Sequence, residues 1–171
     1  MEHPDIAIHL LDHSSPAASI EAARELLLEY GQFVLSVEGP ARFCFGKLED
    51  EARGLPSSFA GPANGLLLAW VNNSAAGCVT YRAMTVISDG CEMKRLWIRP
   101  AFRGLGLGER LTQALLKQAA EAGYSAVYLD TFPESMGSAY RMYQRLGFVE
   151  CEPYHNSATS GMVFMRKEIK P

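Results

Sequence analysis

Three glycines stand at every second position in the stretch RPAFRGLGLGERLTQALL, residues 99–116, and an arginine precedes them directly. A helical pattern follows, and a helix N-terminus offers unpaired N–H groups and a positive dipole end, which together bind anions. Gly104, Gly106 and Gly108 carry no side chain that would keep a phosphate from the backbone, and Arg103 adds a cation. The spacing therefore predicts an anion cradle, with a pyrophosphate as its first candidate ligand. A flexible turn between a strand and a helix is the alternative.

Two classes of ligand carry a pyrophosphate that such a cradle could hold. The first is a dinucleotide in a Rossmann unit, which would make the protein an NAD-dependent oxidoreductase with Asp130 as the ribose-binding acid. GLGLG departs from the GxGxxG pattern, and the preceding strand carries Glu92, Lys94 and Arg95, unlike a strand covered on both faces. The second class is a coenzyme A thioester, which these departures favour.

The hydrophobic pattern predicts the elements that must position the cradle. Apolar runs and alternation predict strands at residues 5–12, 65–73, 75–85, 91–100, 126–130, 148–154 and 161–169. Helical spacing predicts helices at residues 16–30, 47–54 and 104–122, and a last one through Ala139, Met142, Tyr143 and Leu146 that stops at Gly147. Residues 31–64 are expected to form short helices and loops.

The order of these elements predicts the fold class. An antiparallel meander comes first, then strand 91–100, helix 104–122 and strand 126–130 form one right-handed parallel unit. We therefore expect an α+β fold with a mixed central sheet, an embedded βαβ unit and helices on both faces. No repeat, linker or low-complexity tract is visible, so residues 1–171 are predicted to form a single domain.

Composition argues against several classes of function. The 171 residues include 16 Lys and Arg against 19 Asp and Glu, and the resulting net charge of −3 argues against a nucleic-acid partner. No apolar run is long enough to cross a bilayer and no signal peptide is recognisable, so a cytoplasmic protein without a membrane partner is expected. The four widely spaced cysteines predict buried free thiols, and no histidine has metal-ligand spacing, so no metal is expected.

Two stretches carry a resemblance to a known family. RGLGLG, residues 103–108, fits the Arg/Gln-x-x-Gly-x-Gly/Ala signature of the GCN5-related N-acetyltransferase (GNAT) superfamily. AYRMYQRLGF, residues 139–148, resembles its second signature, Ala-x-x-Leu-Tyr-x-x-x-Gly-Phe, with Met142 in the leucine position. The similarity covers residues 65–169 well and residues 1–64 by their layout. CEMKRLWIRP, YLDT and EPYHN resemble an uncharacterised bacterial subgroup of the superfamily.

The resemblance implies the GNAT fold and the transfer of an acetyl group from acetyl-CoA to a primary amine. The backbone of Leu96, Trp97 and Ile98 would pair with the pantetheine arm as an added strand. The Ile98 N–H would help to hold the thioester carbonyl. The pyrophosphate would be held by Arg103 and by the backbone of Gly104, Leu105, Gly106, Leu107 and Gly108.

Tyr143 occupies the position of the superfamily's general acid, where it would also contact the cofactor. A phenol with an ordinary pKa of about 10 is protonated at neutral pH and can protonate a thiolate whose conjugate acid has a pKa of about 8.5. Periodicity gives the alternative role of a core aromatic residue, because Ala139, Met142 and Leu146 share its helix face.

Glu92 is the candidate base, acting directly or through water, because it lies at the start of the central strand near the expected acceptor amine. A salt bridge with Lys94 or Arg82 is its alternative role. Tyr154 and His155 lie at a strand end that could face the acceptor, and an imidazole titrates near neutral pH. An exposed loop histidine is the alternative for His155.

The acceptor is expected to be a small-molecule or peptide amine that the sequence does not name. Four phenylalanines either line an apolar acceptor slot or belong to the core: Phe33, Phe43, Phe45 and Phe59. A second hypothesis is a CoA-binding regulatory module without catalysis, since the superfamily often has an asparagine where Met136 stands here. Tyr143 favours the enzyme. A homodimer is compatible with the sequence, which does not decide the assembly.

Overall fold

The computed structural model describes residues 3–170; residues 1, 2 and 171, which the single predicted domain includes, lie outside this description. The elements are β1 (Ile6–Leu10), α1 (Ala17–Glu38), α2 (Phe45–Arg53), β2 (Gly65–Val71), β3 (Ser74–Ala83), β4 (Gly90–Ile98), α3 (Leu107–Glu121), β5 (Ala126–Thr131), α4 (Gly137–Arg145), β6 (Val149–Cys151) and β7 (Val163–Glu168). The strands form one seven-stranded sheet in the order β1-β2-β3-β4-β5-β7-β6. The predicted mixed α+β fold is confirmed. The β4–α3–β5 unit is parallel and the other strand pairs are antiparallel, which differs from a doubly wound Rossmann sheet.

The helices cover both faces of the sheet, as predicted. Side chains alternate along a strand, and in β2 Leu66 and Leu68 pack in the core under α1 and α2. Leu67 and Ala69 pack on the opposite face, in the core under α3 and α4. The two helical layers therefore hold the central strands from both sides.

Helix α1 is longer than predicted, running to Glu38 instead of ending at residue 30. Gly31 lies inside it, and a Cβ at Gly31 would collide with the side chains of Leu48 and Phe45. The glycine is therefore required where α2 crosses α1, and it does not end the helix. Together the two helices account for half of residues 31–64, the segment that the sequence leaves as short helices and loops.

The start of α3 also differs from the prediction. The helix begins at Leu107 instead of residue 104, because Gly104 (φ +85°) and Gly106 (φ +71°) have left-handed backbone conformations. Two of the three glycines thus lie in the loop, and Gly108 lies in the first helical turn. Near the C-terminus, β6 covers residues 149–151 of the predicted strand 148–154.

The cysteine prediction is half correct. All four cysteines are free thiols, and Cys78 and Cys91 are fully buried. Cys44 is exposed and Cys151 is partly exposed, so the prediction of four buried thiols is wrong for these two. Across residues 3–170, every helix is too short or too polar to cross a membrane.

Candidate active site

A gap opens in the middle of the sheet where β4 and β5 separate. The two strands pair in parallel over three residue pairs, of which Glu92–Tyr128 is the last in the described part of the chain. β4 continues to Ile98 and β5 to Thr131, so backbone groups of both strands face the space between them. This space belongs to a cavity of about 1340 Å³ that reaches from the glycine loop to His155.

Ile98 directs its backbone N–H into this gap. It is paired with Gly77 of β3, and the next residue, Arg99, donates its N–H to the Ala76 carbonyl at 2.9 Å. Hydrogen-bonded and non-hydrogen-bonded pairs alternate along an antiparallel ladder, so Ile98–Gly77 is a non-hydrogen-bonded pair. The N–H and C=O of Ile98 therefore face away from β3, on the side where β5 has separated.

The side chains of this part of β4 anchor it to both helical layers. Trp97 donates its Nε1–H to Glu29 of α1 at 3.0 Å, and its ring centroid lies 5.2 Å from that of Phe33. Leu96 and Ile98 pack against the core on the opposite face. These contacts fix the strand, and its backbone N–H and C=O groups line the gap.

The glycine loop lies at one end of the cavity, at the N-terminus of α3. A Cβ added at Gly104 or Gly106 would meet no described atom within 4 Å. The loop therefore faces open space, and its glycines serve the backbone conformation and leave the first N–H groups of α3 accessible. This open cradle fits an anionic group such as a pyrophosphate.

The side chains next to these glycines play different parts. Leu107 is buried and Leu105 is 36% exposed, so the predicted contact of Leu107 with a ligand would be made by its backbone. Arg103 donates from Nε to the Ile98 carbonyl at 3.3 Å, and its guanidinium lies 5.2 Å from the ring centroid of Trp97. The predicted phosphate-binding cation is therefore at the end of β4, between the gap and the loop.

A β-bulge interrupts β4 beside the gap. Cys78 is paired with Trp97 and Thr80 with Lys94, so one residue of β3 lies opposite two of β4, the first of which is Arg95. Arg95 has φ +60°, which costs a non-glycine residue about 1–2 kcal/mol. Thr80 donates its hydroxyl to the Lys94 carbonyl at 3.0 Å, and Cys78 donates its thiol to the Arg95 carbonyl at 3.5 Å. Burial raises the pKa of Cys78 to about 12, so this thiol keeps its proton.

Tyr143 borders the cavity from α4. Its side chain is 7% exposed, and its ring centroid lies 5.7 Å from that of Phe148. Burial, with Tyr30 and Asp130 nearby, raises the pKa of Tyr143, so the phenol stays protonated at neutral pH. The residue thus belongs to the core, as periodicity indicates, and also lines the cavity with a proton available to donate.

Glu92 borders the same cavity with three donors around its carboxylate. Lys94 Nζ lies 3.0 Å from Oε1, and the Tyr154 hydroxyl donates to the same oxygen at 3.2 Å. Arg82 Nε lies 3.8 Å from Oε2. Both predicted ion pairs are therefore present, and the less engaged oxygen is Oε2. The role of Glu92 as a base remains a prediction.

His155 is partly buried and paired, unlike the exposed loop histidine of the alternative prediction. Its Nε2 lies 2.9 Å from Asp130 Oδ2, and the Ser157 N–H donates to Nδ1 at 3.2 Å. We assign the proton of the neutral ring to Nε2, because Nδ1 accepts from an amide. Both ring nitrogens are then occupied, and Nε2 donates to Asp130.

The histidines show no metal-ligand spacing along the chain, but the fold brings His155 beside two carboxylates. Ligand atoms of Glu92, Asp130 and His155 lie within 4.8 Å of one another. Lys94 Nζ lies 3.0 Å from Glu92 and 3.7 Å from Asp130, so an ammonium of the chain itself lies close to both carboxylates.

The four phenylalanines divide between the two predicted roles. Phe33 and Phe43 line the cavity from the α1–α2 side, together with Tyr30. Phe59 is buried in the core and Phe45 packs against it. The cavity therefore has an aromatic wall opposite the charged residues of β4 and β5.

Sequence reasoning missed several residues that line the cavity, among them Tyr30, Lys94 as a partner of Asp130, Arg95, and Asp130 as a cavity carboxylate. Charged residues within an apolar strand were the available signal for Lys94 and Arg95. Asp130 had a similar signal, since it follows the buried run of β5. Tyr30 had none, because it continues the apolar face of α1.

Comparison with known proteins agrees with this geometry. The profile of the acetyltransferase (GNAT) family matches residues 20–148. The chain belongs to the GNAT acetyltransferase family. A relative from Schizosaccharomyces pombe, named as an uncharacterized N-acetyltransferase, is 35% identical to this GNAT chain over 128 residues, which cover 73% of this chain and 76% of the relative.

Solved structures of other proteins share the fold. A GNAT acetyltransferase from Staphylococcus aureus Mu50 superposes with a TM-score of 0.72 at 16% identity, covering 96% of this chain and 100% of that one. The yncA protein of Salmonella typhimurium, solved with its cofactor acetyl-CoA, superposes with a TM-score of 0.64 at 18% identity, covering 95% and 93% of the two chains. At these identities the likeness shows the fold alone.

Proposed function

We propose that this GNAT chain transfers an acetyl group from acetyl-CoA to a primary amine of a small molecule or peptide. The observation that carries the proposal is a single cavity bordered by the free backbone edge at Ile98, the open glycine loop and the protonated Tyr143. Acyl transfer needs a held donor, a polarised carbonyl and a proton for the departing thiolate. One of the three features serves each need.

Acetyl-CoA would be held by backbone groups of this chain. The N–H groups at residues 104–108 would bind the pyrophosphate, and Arg103 is near enough to the loop to assist. The β4 edge from Leu96 to Ile98 would pair with the pantetheine arm as an added strand. The Ile98 N–H would donate to the thioester oxygen, and one such donor is typically worth about 10²–10³-fold in rate.

Proton transfer would involve two side chains. The amine nitrogen forms a bond to the acetyl carbonyl carbon while the carbon–sulfur bond breaks, giving an amide and the CoA thiol. Tyr143 would donate its phenol proton to the departing thiolate. Glu92 would accept the proton of the attacking amine, directly or through water, at Oε2, the oxygen that Lys94 and Tyr154 leave free.

The test measures binding and turnover separately. Acetyl-CoA, CoA, NAD and ATP are compared by thermal shift, and at about 100 times its dissociation constant a ligand stabilises the fold by roughly 2.7 kcal/mol. Acetyl-CoA is then incubated with a panel of primary amines, and acetylated product is detected by mass spectrometry, because the exposed Cys44 would react with a thiol reagent. Stabilisation by acetyl-CoA without any product would indicate a CoA-binding module, and stabilisation by NAD alone would contradict the proposal.

A further inference from the structure

Arg95 has an unusual backbone conformation for its place in the fold. Among residues 3–170, positive φ angles outside glycine occur at Asn72, Asn73 and Arg95. The two asparagines form the turn between β2 and β3, where this conformation is common. Arg95 lies inside the central strand, at the bulge position that usually takes glycine. Such conformations persist where the surroundings hold them, and they cluster at functional sites.

The Arg95 side chain is held by contacts from both helices of the α1–α2 layer. Its Nε lies 3.2 Å from Glu51 Oε2 and its second terminal nitrogen 3.3 Å from Glu51 Oε1, a two-point contact with α2. The guanidinium also lies 5.7 Å from the ring centroids of both Tyr30 and Phe43. The residue is 8% exposed, so this cation has few alternatives to Glu51.

The position of this contact links the two sides of the cavity. Arg95 is three residues before Ile98, whose N–H faces the gap, and the bulge sets the direction of the strand between them. Tyr30 and Phe43 form part of the aromatic wall on the other side of the cavity. Arg95 therefore belongs to β4 through its backbone and contacts that wall through its guanidinium.

We propose that Arg95 is a positioning residue, which Glu51 holds so that the bulge keeps the Ile98 N–H aimed into the gap. This proposal rests on the proposed acetyl transfer, in which that N–H contacts the thioester. Arg95 acts through the backbone of β4 and does not touch the reacting atoms. An acceptor that contacts Tyr30 and Phe43 would lie against the two rings that the Arg95 guanidinium also contacts.

The competing explanation is that the bulge needs only the backbone conformation of residue 95, and a glycine variant separates the two. Arg95→Gly removes the side chain but accepts φ +60° without strain, whereas Arg95→Ala removes the side chain and keeps the strain. If the bulge needs only its backbone conformation, glycine should serve as well as arginine. If the contact with Glu51 holds the strand, glycine should fail.

The experiment compares Arg95→Gly, Arg95→Lys and Glu51→Gln with Arg53→Ala and Glu49→Gln, two exposed residues of the same helix α2. We expect Arg95→Gly and Glu51→Gln to lower kcat by about 10- to 100-fold, the scale of a misplacement near 1 Å. Arg95→Lys cannot make the two-point contact, so its kcat should lie between that of the parent and that of Arg95→Gly. The dissociation constant of acetyl-CoA, set mainly at the glycine loop, should change by less than about threefold. The α2 controls should match the parent.

Amide hydrogen exchange provides a measurement that needs no turnover. In Arg95→Gly and Glu51→Gln, the amide of Trp97, which lies in a hydrogen-bonded pair with Cys78 of β3, should exchange faster than in the parent, while those of β2 should not change. If exchange and kcat of both variants equal the parent values, Arg95 is an ordinary buried ion pair and the proposal is wrong. If the parent itself acetylates no amine, acetyl transfer fails as the function while exchange still decides whether the contact holds the strand.

Discussion

The hydroxyl of Tyr154 donates to Oε1 of Glu92 at 3.2 Å, and Lys94 Nζ approaches the same oxygen at 3.0 Å. These two donors fix the carboxylate and leave Oε2 facing Arg82 at the longer distance of 3.8 Å. A base at this place would therefore act through one defined oxygen, and the role of Glu92 can be tested without disturbing its size.

Glu92→Gln keeps the shape and the hydrogen-bond acceptor but removes the charge. If Glu92 is the base, kcat should fall by about 10²-fold or more, and the acidic limb of the pH–rate profile should move. Acetyl-CoA binding, measured by calorimetry, should barely change. Tyr154→Phe is the matched control, because it removes a donor to Oε1 and leaves the carboxylate. Full turnover of Glu92→Gln with an unchanged pH profile would remove Glu92 from the mechanism.

Tyr143→Phe keeps the ring that packs on Phe148 and removes the proton donor. We expect kcat to fall by about 10²–10⁴-fold, with the melting temperature and the acetyl-CoA thermal shift retained. The loss should shrink as the pH rises towards about 8.5, where the thiolate needs less help to leave. A variant that turns over within about threefold of the parent would show that the proton comes from elsewhere.

Gly106→Ala places a methyl group where the cradle should receive a pyrophosphate. The left-handed backbone at φ +71° should cost about 1–2 kcal/mol of stability, and acetyl-CoA should lose its thermal shift. Gly123→Ala is the matched control, since Gly123 has φ +90° and open space around it but follows the opposite, C-terminal end of α3. It should lose similar stability and keep acetyl-CoA binding. Equal binding by both variants would place the pyrophosphate elsewhere.

Alkaline pH should destabilise the fold through its buried phenols and thiols. Burial raises the pKa of Tyr143, Tyr154 and Tyr30, and that of Cys91 to about 12. The unfolded chain releases these protons from about pH 9 to 10 while the folded chain retains them, so stability falls as the pH rises above that point. Below about pH 7.5, where thiols and phenols are protonated in both the folded and the unfolded chain, these groups contribute no pH dependence.

Melting temperatures between pH 7 and 11 measure this effect. They should decline above about pH 9 to 10, and Tyr143→Phe should decline less steeply than the parent because one such phenol is absent. A parent melting temperature that stays flat from pH 9.5 to 11 would contradict the predicted alkaline sensitivity.

The fold was predictable from the sequence because most strands and helices carry clear periodicity. The boundary errors have particular causes. The predicted end of α1 at residue 30 is wrong, because the helix continues through Gly31, whose lack of a side chain leaves room for Leu48 of α2, a contact between distant segments. The predicted α3 includes Gly104 and Gly106, but their left-handed conformations place both glycines in the loop before the helix.

The glycine loop and Tyr143 could be proposed from sequence because local motifs carry them. Asp130 and His155 could not be paired in this way, since they are 25 residues apart and meet through the order of β5 and β7 in the sheet. The bulge at Arg95 depends on the register with β3, which no local pattern encodes. The pairing of Asp130 with His155 and the bulge at Arg95 therefore depend on strand order and register, which local sequence patterns do not encode.

The short ladder between β4 and β5 divides the sheet into two parts, β1–β4 and β5–β7, with a narrow connection between them. Three residue pairs join them in the described chain, whereas β5 and β7 share six. A ligand that forms hydrogen bonds along β4 within the gap and contacts Tyr143 of α4, the helix that follows β5, would bridge the two parts. Binding should then slow amide exchange in β5 as well as in β4, because the bound ligand would hold the two parts of the sheet together.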